Sequence, residues 1–173
     1  PITCVTDELQ EERSIRQCFI CTNHNLDDIV ERFSSLHWLK RVLAYCKWFL
    51  NNTHRKGSRI IGLLSRNELS RILEECLKSA QRAVYFREIE ALKSNSMVSS
   101  KSSLKDLNPF LNGNEVMRVG GRLHNSLKSF VEQHQIILPS KHHLTRLIVT
   151  AEHMRLLHAG AQLMIAFLRR TYW

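Results

Sequence analysis

The sequence contains no apolar run approaching the ~18 residues that cross a bilayer, so nothing in it reads as a membrane helix. Cysteine is sparse: there are five, an odd number, and the last of them is Cys76. A disulfide framework is therefore not indicated, and a reducing compartment, cytoplasmic and nuclear, is expected. Several catalytic signatures are also missing. No closely spaced Asp/Glu set stands on strand-like segments, as two-metal phosphoryl chemistry requires, and no Asp-Thr/Ser-Gly triplet occurs. Glu74, Glu75, Glu88 and Glu90 have no partnering base and read as solvated helix acids. No catalytic residue is assigned, and the chain is not expected to be an enzyme.

The residues that are present bound the rest. A chain of 173 residues, 43% apolar, is long enough for one domain or two small ones with a real core. Its net charge of +9 is uneven. Residues 1–35 hold seven acids (Asp7, Glu8, Glu11, Glu12, Asp27, Asp28, Glu31) against three bases (Arg13, Arg16, Arg32), so they carry −4 and the remainder +13. Such an imbalance suits a polyanionic partner, nucleic acid first.

In chain order, Cys18-Phe19-Ile20-Cys21 with His24 has metal-ligand spacing but no second half at finger-like distance, and reads as two small buried thiols. Leu36, Leu39, Val42, Leu43, Cys46 and Phe49-Leu50 recur at helical steps, closed by Asn51-Asn52 and Gly57-Ser58. At that spacing Trp38, Trp48 and Phe49 are expected as core or helix–helix contacts rather than a base-stacking platform. Ser65-Arg66-Asn67-Glu68 is a capping box opening a helix whose apolar stripe reaches about Leu92, giving an antiparallel helix hairpin. Ser94 to Ser103 is a serine-rich linker, too polar to pack, and marks a domain boundary. Short strands come next, at Phe110-Leu111, Glu115–Val119 and Gln135–Leu138. The turn Asn112-Gly113-Asn114 lies between the first two, and Gly120-Gly121 marks a bulge or a close approach of backbones. Pro139 ends the third strand, and Ser140 is expected to cap a helix bearing Leu144, Leu147, Ile148 and Ala151, with His142-His143 at its exposed start. A second amphipathic helix carries Leu163, Met164, Phe167, Leu168 and Tyr172. The fold class expected is mainly α with a small antiparallel β element.

His153 and His158 fall inside the H-x₃₋₅-H window of tetrahedral zinc sites. On a continuous helix five residues turn about 140°, so both imidazoles reach one ion only if the helix ends between them. The break is expected at Ala159-Gly160, since glycine tolerates positive φ. Two imidazoles make half a site, and the usual complement is a Cys-x₂-Cys pair. With no cysteine after His158, a start at Pro1 and a stop on Trp173, the chain reads as a piece of a longer one, cut before its second ligand pair.

Leu107-Asn108-Pro109-Phe110, Met117-Arg118-Val119-Gly120-Gly121-Arg122-Leu123, Ile136-Ile137-Leu138-Pro139, His142–Ile148, then His153, His158-Ala159-Gly160 and Leu168–Trp173 succeed one another in an order and spacing that resemble the integrase zinc-binding region of Pao (BEL/Pao-type) LTR retrotransposon polyproteins. The helices from about Ala44 to Leu92 resemble the segment preceding it, after the reverse transcriptase and RNase H regions. The resemblance implies three parts: a helical segment at 1–93, a linker at 94–106, and an incomplete integrase N-terminal zinc-binding region at 107–173. It implies that His153 and His158 are half of an HHCC site for Zn²⁺, completed only in the intact parent. It implies a module that helps the integrase self-associate and engage the element's DNA ends, with no membrane partner. Arg118, Arg122, Arg146, Arg155, Arg169 and Arg170 are then candidate phosphate contacts. The family's Cys pair and acidic triad would lie downstream, leaving this stretch non-catalytic. A helical protein–protein adaptor with structural histidines, or a decayed element copy, are the competing readings.

Overall fold

The structure, a computed structural model, describes residues 23–54, 61–121 and 129–173. Cys18, Cys21, Gly57, Ser58, Arg122 and His124 lie outside the described residues, as does the side chain of His24. The chain is mainly helical: α1 (Asn23–Glu31), α2 (Leu36–His54), α3 (Arg66–Val84) and α4 (Phe86–Lys93) precede a two-stranded antiparallel ribbon, β1 (Phe110–Leu111) and β2 (Met117–Arg118). Three helices come after it: the short α5 (Phe130–Gln133), then α6 (His143–Arg155) and α7 (Ala161–Leu168).

The capping box forms as its sequence requires. Ser65 Oγ accepts from the Glu68 amide at 3.2 Å, and Glu68 Oε2 accepts from the Ser65 amide at 2.7 Å. Glu68 also accepts from Trp48 Nε1 at 2.6 Å, and Lys47 of α2 pairs with Glu75, so late α2 lies beside early α3 as in a hairpin. These bonds hold the Glu68 carboxyl below its usual range, the Ser65 backbone bond contributing most.

The stripe from Leu69 to Leu92 is two helices rather than one. The chain breaks at Tyr85 (φ −113°, ψ 33°), which leaves Val84 and Phe86 exposed and sends Ile89 into a separate apolar cluster with Leu104, Met117 and Ile137. The aromatic expectation for α2 also fails in part. Trp38 is 63% exposed and Phe49 58%, because the buried side of α2 is carried by Leu36, Leu39 and Ala44.

The serine-rich stretch is mostly exposed, but it does not separate two cores. Leu104 is buried just beyond it and Ser102 Oγ donates to Glu88 at 2.8 Å. One cluster joins Val30, Leu39, Ile72 and Leu77 from the helices to Val116, Ile136, Leu144 and Ile148 from the chain after it. Each such side chain contributes about 2 kcal/mol by leaving water, so 94–106 is a connection across a shared core.

A single polar side chain makes that junction specific. Gln81, fully buried on α3, donates from Nε2 to the carbonyls of Met117 (2.8 Å) and Ile137 (2.7 Å), while its Oε1 accepts from the Met117 amide (2.8 Å). The ribbon is therefore finished by a helix. The third expected strand survives only as bridges, Arg118 to Ile136 on one side and Ile136 to Tyr172 on the other. The C-terminal residues supply that last edge: Ile136 and Leu138 donate to Thr171 and Trp173 carbonyls at 2.8 and 2.9 Å, and Trp173 donates to Ile136 at 2.8 Å.

In the ribbon turn the left-handed residue is Glu115 (φ 57°), not one of Asn112-Gly113-Asn114. Asn112 Oδ1 accepts from the Asn114 and Val116 amides, and that side-chain clasp moves the positive φ one residue on. At Gly120 the close approach is real, since a Cβ there would stand 2.2 Å from the Asn108 carbonyl oxygen.

Replacing Gln81 by leucine would strand the buried Ile137 carbonyl and the Met117 amide, each worth about 1–3 kcal/mol, and leave the Met117 carbonyl with the Ile137 amide alone. The expected loss is ~3 kcal/mol or more in a urea unfolding curve, and a loss under 1 kcal/mol would show the amide is not the junction.

Candidate metal centre

α6 begins one residue pair later than the sequence suggests. Its N-cap is His142, not Ser140: the His142 ring accepts at Nδ1 from the Leu144 amide at 3.1 Å. Neither histidine at this start is exposed. His142 Nε2 lies 3.6 Å from Asp27 Oδ1 on α1, and His143 Nε2 donates to the Phe33 carbonyl at 2.7 Å. A third ring, His134, bonds the Val119 carbonyl through Nδ1 at 3.0 Å and stands edge-on to Phe110. His143 and His134 thus tie distant backbone carbonyls, while His142 caps its own helix and faces Asp27.

His153 and His158 are placed differently. Leu144, Leu147 and Ile148 bury one face of α6, and His153 sits half-buried in its last turn. The helix ends at Arg155. Leu157 (φ 53°) and His158 (φ 63°) are left-handed, and the His158 amide donates back to the His153 carbonyl at 3.0 Å. The break thus falls between the two histidines but ahead of Ala159-Gly160. Gly160 is extended (φ −62°, ψ 159°) and serves as the N-cap of α7. Two consecutive left-handed residues reverse the chain and return the second imidazole to the first. His158 Nδ1 lies 2.9 Å from His153 Nε2, and the rings meet edge-to-face with centroids 4.8 Å apart.

Two ring nitrogens this close share one proton, or present two lone pairs to one electrophile. Ligands of a tetrahedral zinc at ~2.05 Å stand about 3.3 Å apart, so a metal in place of the proton would need the pair to open by ~0.4 Å and both rings to turn until their lone pairs converge on the ion instead of facing each other. Among the described residues no group of three or more His, Cys, Asp or Glu could hold a metal. The two nitrogens that face each other are His153 Nε2 and His158 Nδ1.

No family model, curated protein or solved structure matches the chain.

The arginines divide. Arg118 is buried on β2, where it donates to the His134 carbonyl at 2.8 Å and lies over the Phe130 ring. Burial pushes its pKa down. It is a packing residue, not a surface phosphate contact, because its β2 position faces the core. Arg155 is exposed but bonds Glu152 at 2.7 Å and covers Phe167, and Arg170 bonds Glu132 at 3.0 Å. Arg146 and Arg169 are exposed with no ion pair to a described carboxylate. Beside these pairs Glu132, Glu152, Arg155, Arg170 and Tyr172 line one polar cleft. Burial, with Glu152 adding to it, pushes the Tyr172 hydroxyl up to about 12.

Leu157 is 87% exposed, so its side chain contributes little and its positive φ costs about 1 kcal/mol. Leu157→Gly is expected to stabilise the chain by up to ~1 kcal/mol, read as a raised thermal midpoint; a lowered one would contradict the left-handed turn. For Tyr172 the folded state prefers the neutral phenol. Stability is unaffected below the unfolded value near 10 and falls as pH rises from there towards about 12. Tyr172→Phe should remove that alkaline decline in denaturation curves.

Proposed function

We propose that the chain contributes a zinc-binding and nucleic-acid-binding module to DNA integration, as part of a BEL/Pao-type retrotransposon polyprotein, and does no chemistry itself. The observation that carries this reading is the return of His158 onto His153 across a left-handed helix end, with two ring nitrogens 2.9 Å apart. A divalent ion takes the place of the shared proton once the two rings turn towards it. The return supports, at the positions that the family resemblance singles out, the histidine half of an HHCC site. The remaining two ligands would be the thiolates of a Cys-x₂-Cys pair in the parent protein, which bring the charge that neutral imidazoles lack. Zn²⁺ supplies a structural cross-link there. The protein's own part is to hold two lone pairs in register.

DNA contact falls to Arg146 and Arg169, which are exposed. Self-association of the integrase belongs to the same proposal. So does a cytoplasmic and nuclear location, where thiolates stay reduced.

Two titrations test it. Zinc added to the chain should shift the imidazole resonances of His153 and His158 together, weakly and reversibly by chelator, and leave His142, His143 and His134 unmoved. Binding to duplex DNA should weaken steeply with salt, the log–log slope falling by about 1 for each of Arg146→Ala and Arg169→Ala. Zinc that moves neither or only one of the two rings sinks the metal reading. Indifference to DNA and salt would favour the helical adaptor instead.

A further inference from the structure

The outer face of α2 is used neither by the histidine turn nor by the arginines of α6 and α7. Trp38 is 63% exposed and Tyr45 is 45% exposed, two turns apart on the same side of the helix. Arg41 stands three residues after Trp38 and four before Tyr45, which puts it, half-buried, at the flank of that side in the interval between the two rings. Both rings are braced edge-on by neighbours, Trp38 by His37 at 6.3 Å and Tyr45 by Trp48 at 5.9 Å between centroids. Trp48 is in turn fixed by Glu68. The flat faces are therefore held in place rather than collapsed on the core.

Charge and area select the occupant. α2 carries Lys40, Arg41 and Lys47 and no acid at all. Lys47 is engaged by Glu75, whereas Arg41 has no ion pair to a described carboxylate. A second copy of the same stripe would set Arg41 against Arg41. Even with Val42 and Phe49, 39% and 58% exposed on the same side, it would bury only about 400–500 Å² per copy, where a stable protein interface needs about 800 Å². A single strand of nucleic acid needs less. It asks for flat rings on which bases stack and a cation for the phosphate between them, on a track one helix wide. A duplex keeps its base faces hidden and could use only the cation.

We propose that the Trp38–Arg41–Tyr45 face of α2 binds single-stranded nucleic acid, with bases stacked on Trp38 and Tyr45 and the intervening phosphate on Arg41. The two rings stand about 10 Å apart along the axis, and Arg41 lies within that interval. Recognition is by stacking, so it tolerates any base sequence. The site is independent of the histidine pair and of the zinc reading.

The test is fluorescence anisotropy of a labelled twelve-nucleotide oligo-dT with the 173-residue chain. Trp38→Ala and Tyr45→Ala should each weaken binding by about 5- to 100-fold, with helical circular dichroism unchanged because both residues are surface positions. Trp38→Phe should retain most of the affinity. Arg41→Gln should lower the log–log salt slope by about 0.7, and His153→Ala should change nothing. Oligonucleotide binding that survives both alanine variants overturns the proposal, as does a duplex of equal length competing equally well. If the alanine variants instead change the sedimentation of the chain and leave oligonucleotide binding intact, the face is a protein interface and the proposal is wrong.

Discussion

The structure depends on one carboxamide. Gln81 reaches from α3 into the space between Met117 and Ile137 and satisfies two carbonyls and one amide there. A glutamine offers two donors and an acceptor without charge, so it can be fully buried where a glutamate or lysine would carry a desolvation cost of several kcal/mol. Two strands of two residues each cannot stand alone in water. They are held because a helix completes their hydrogen bonding from within. The C-terminal helices inherit their position from this junction. Ile137 donates to the Met117 carbonyl, and Ile136 and Leu138 in turn receive the C-terminal residues Thr171 and Trp173. α6 and α7 lie between those two points of attachment, and the histidine turn is the link between them.

That dependence explains how a short helix pair orients two imidazoles. α7 is apolar almost all round, yet of its residues only Met164 is buried, so burial alone would hold it weakly. Its ends are fixed by backbone: Gly160 accepts from the Met164 amide at 3.1 Å, and Tyr172 and Trp173 lie against Ile136. With α6 anchored through Leu144, Leu147 and Ile148, the link from Leu156 to Ala159 must turn sharply. Its positive φ at Leu157 and His158 is the conformational cost of closing that turn.

The features legible in the sequence were those written in adjacent residues. Ser65 to Glu68 spells its own cap, Phe110-Leu111 its strand, and Leu144, Leu147 and Ile148 their buried face. The helix end expected between His153 and His158 is likewise present, at Arg155. The misplaced features were set at a distance. Gly160 is the cheapest residue for positive φ, but Leu157 and His158 take it because the Met154 and His153 carbonyls accept from their amides there. Ser140 is the better cap former, yet His142 caps α6 because its ring stands at the contact with α1. Helical spacing said that Trp38 lies on a regular face of α2, but not which face the other helices would leave open. Gln81 gave no signal, since a glutamine on a helix reads as solvent-facing until its partners, 36 and 56 residues away, are in place.

The charge of the chain shows how far composition can mislead about a binding surface. The surplus beyond residue 35 is +13, and spread over the surface it would suit any polyanion. The ion pairs redistribute it. Glu152 and Glu132 hold Arg155 and Arg170, Glu75 holds Lys47, and Arg118 is inside. Each pair fixes a side chain and removes a cation from the set that can release counterions on meeting a phosphate. For the proposed DNA contact this leaves fewer unpaired arginines near α6 and α7 than their number in the sequence suggests. In the site proposed on α2 one cation accompanies two exposed rings, so stacking would have to supply most of the affinity. If both proposed surfaces bind as argued, raising ionic strength strips duplex from the arginines of α6 and α7 before it strips a single strand from Trp38 and Tyr45.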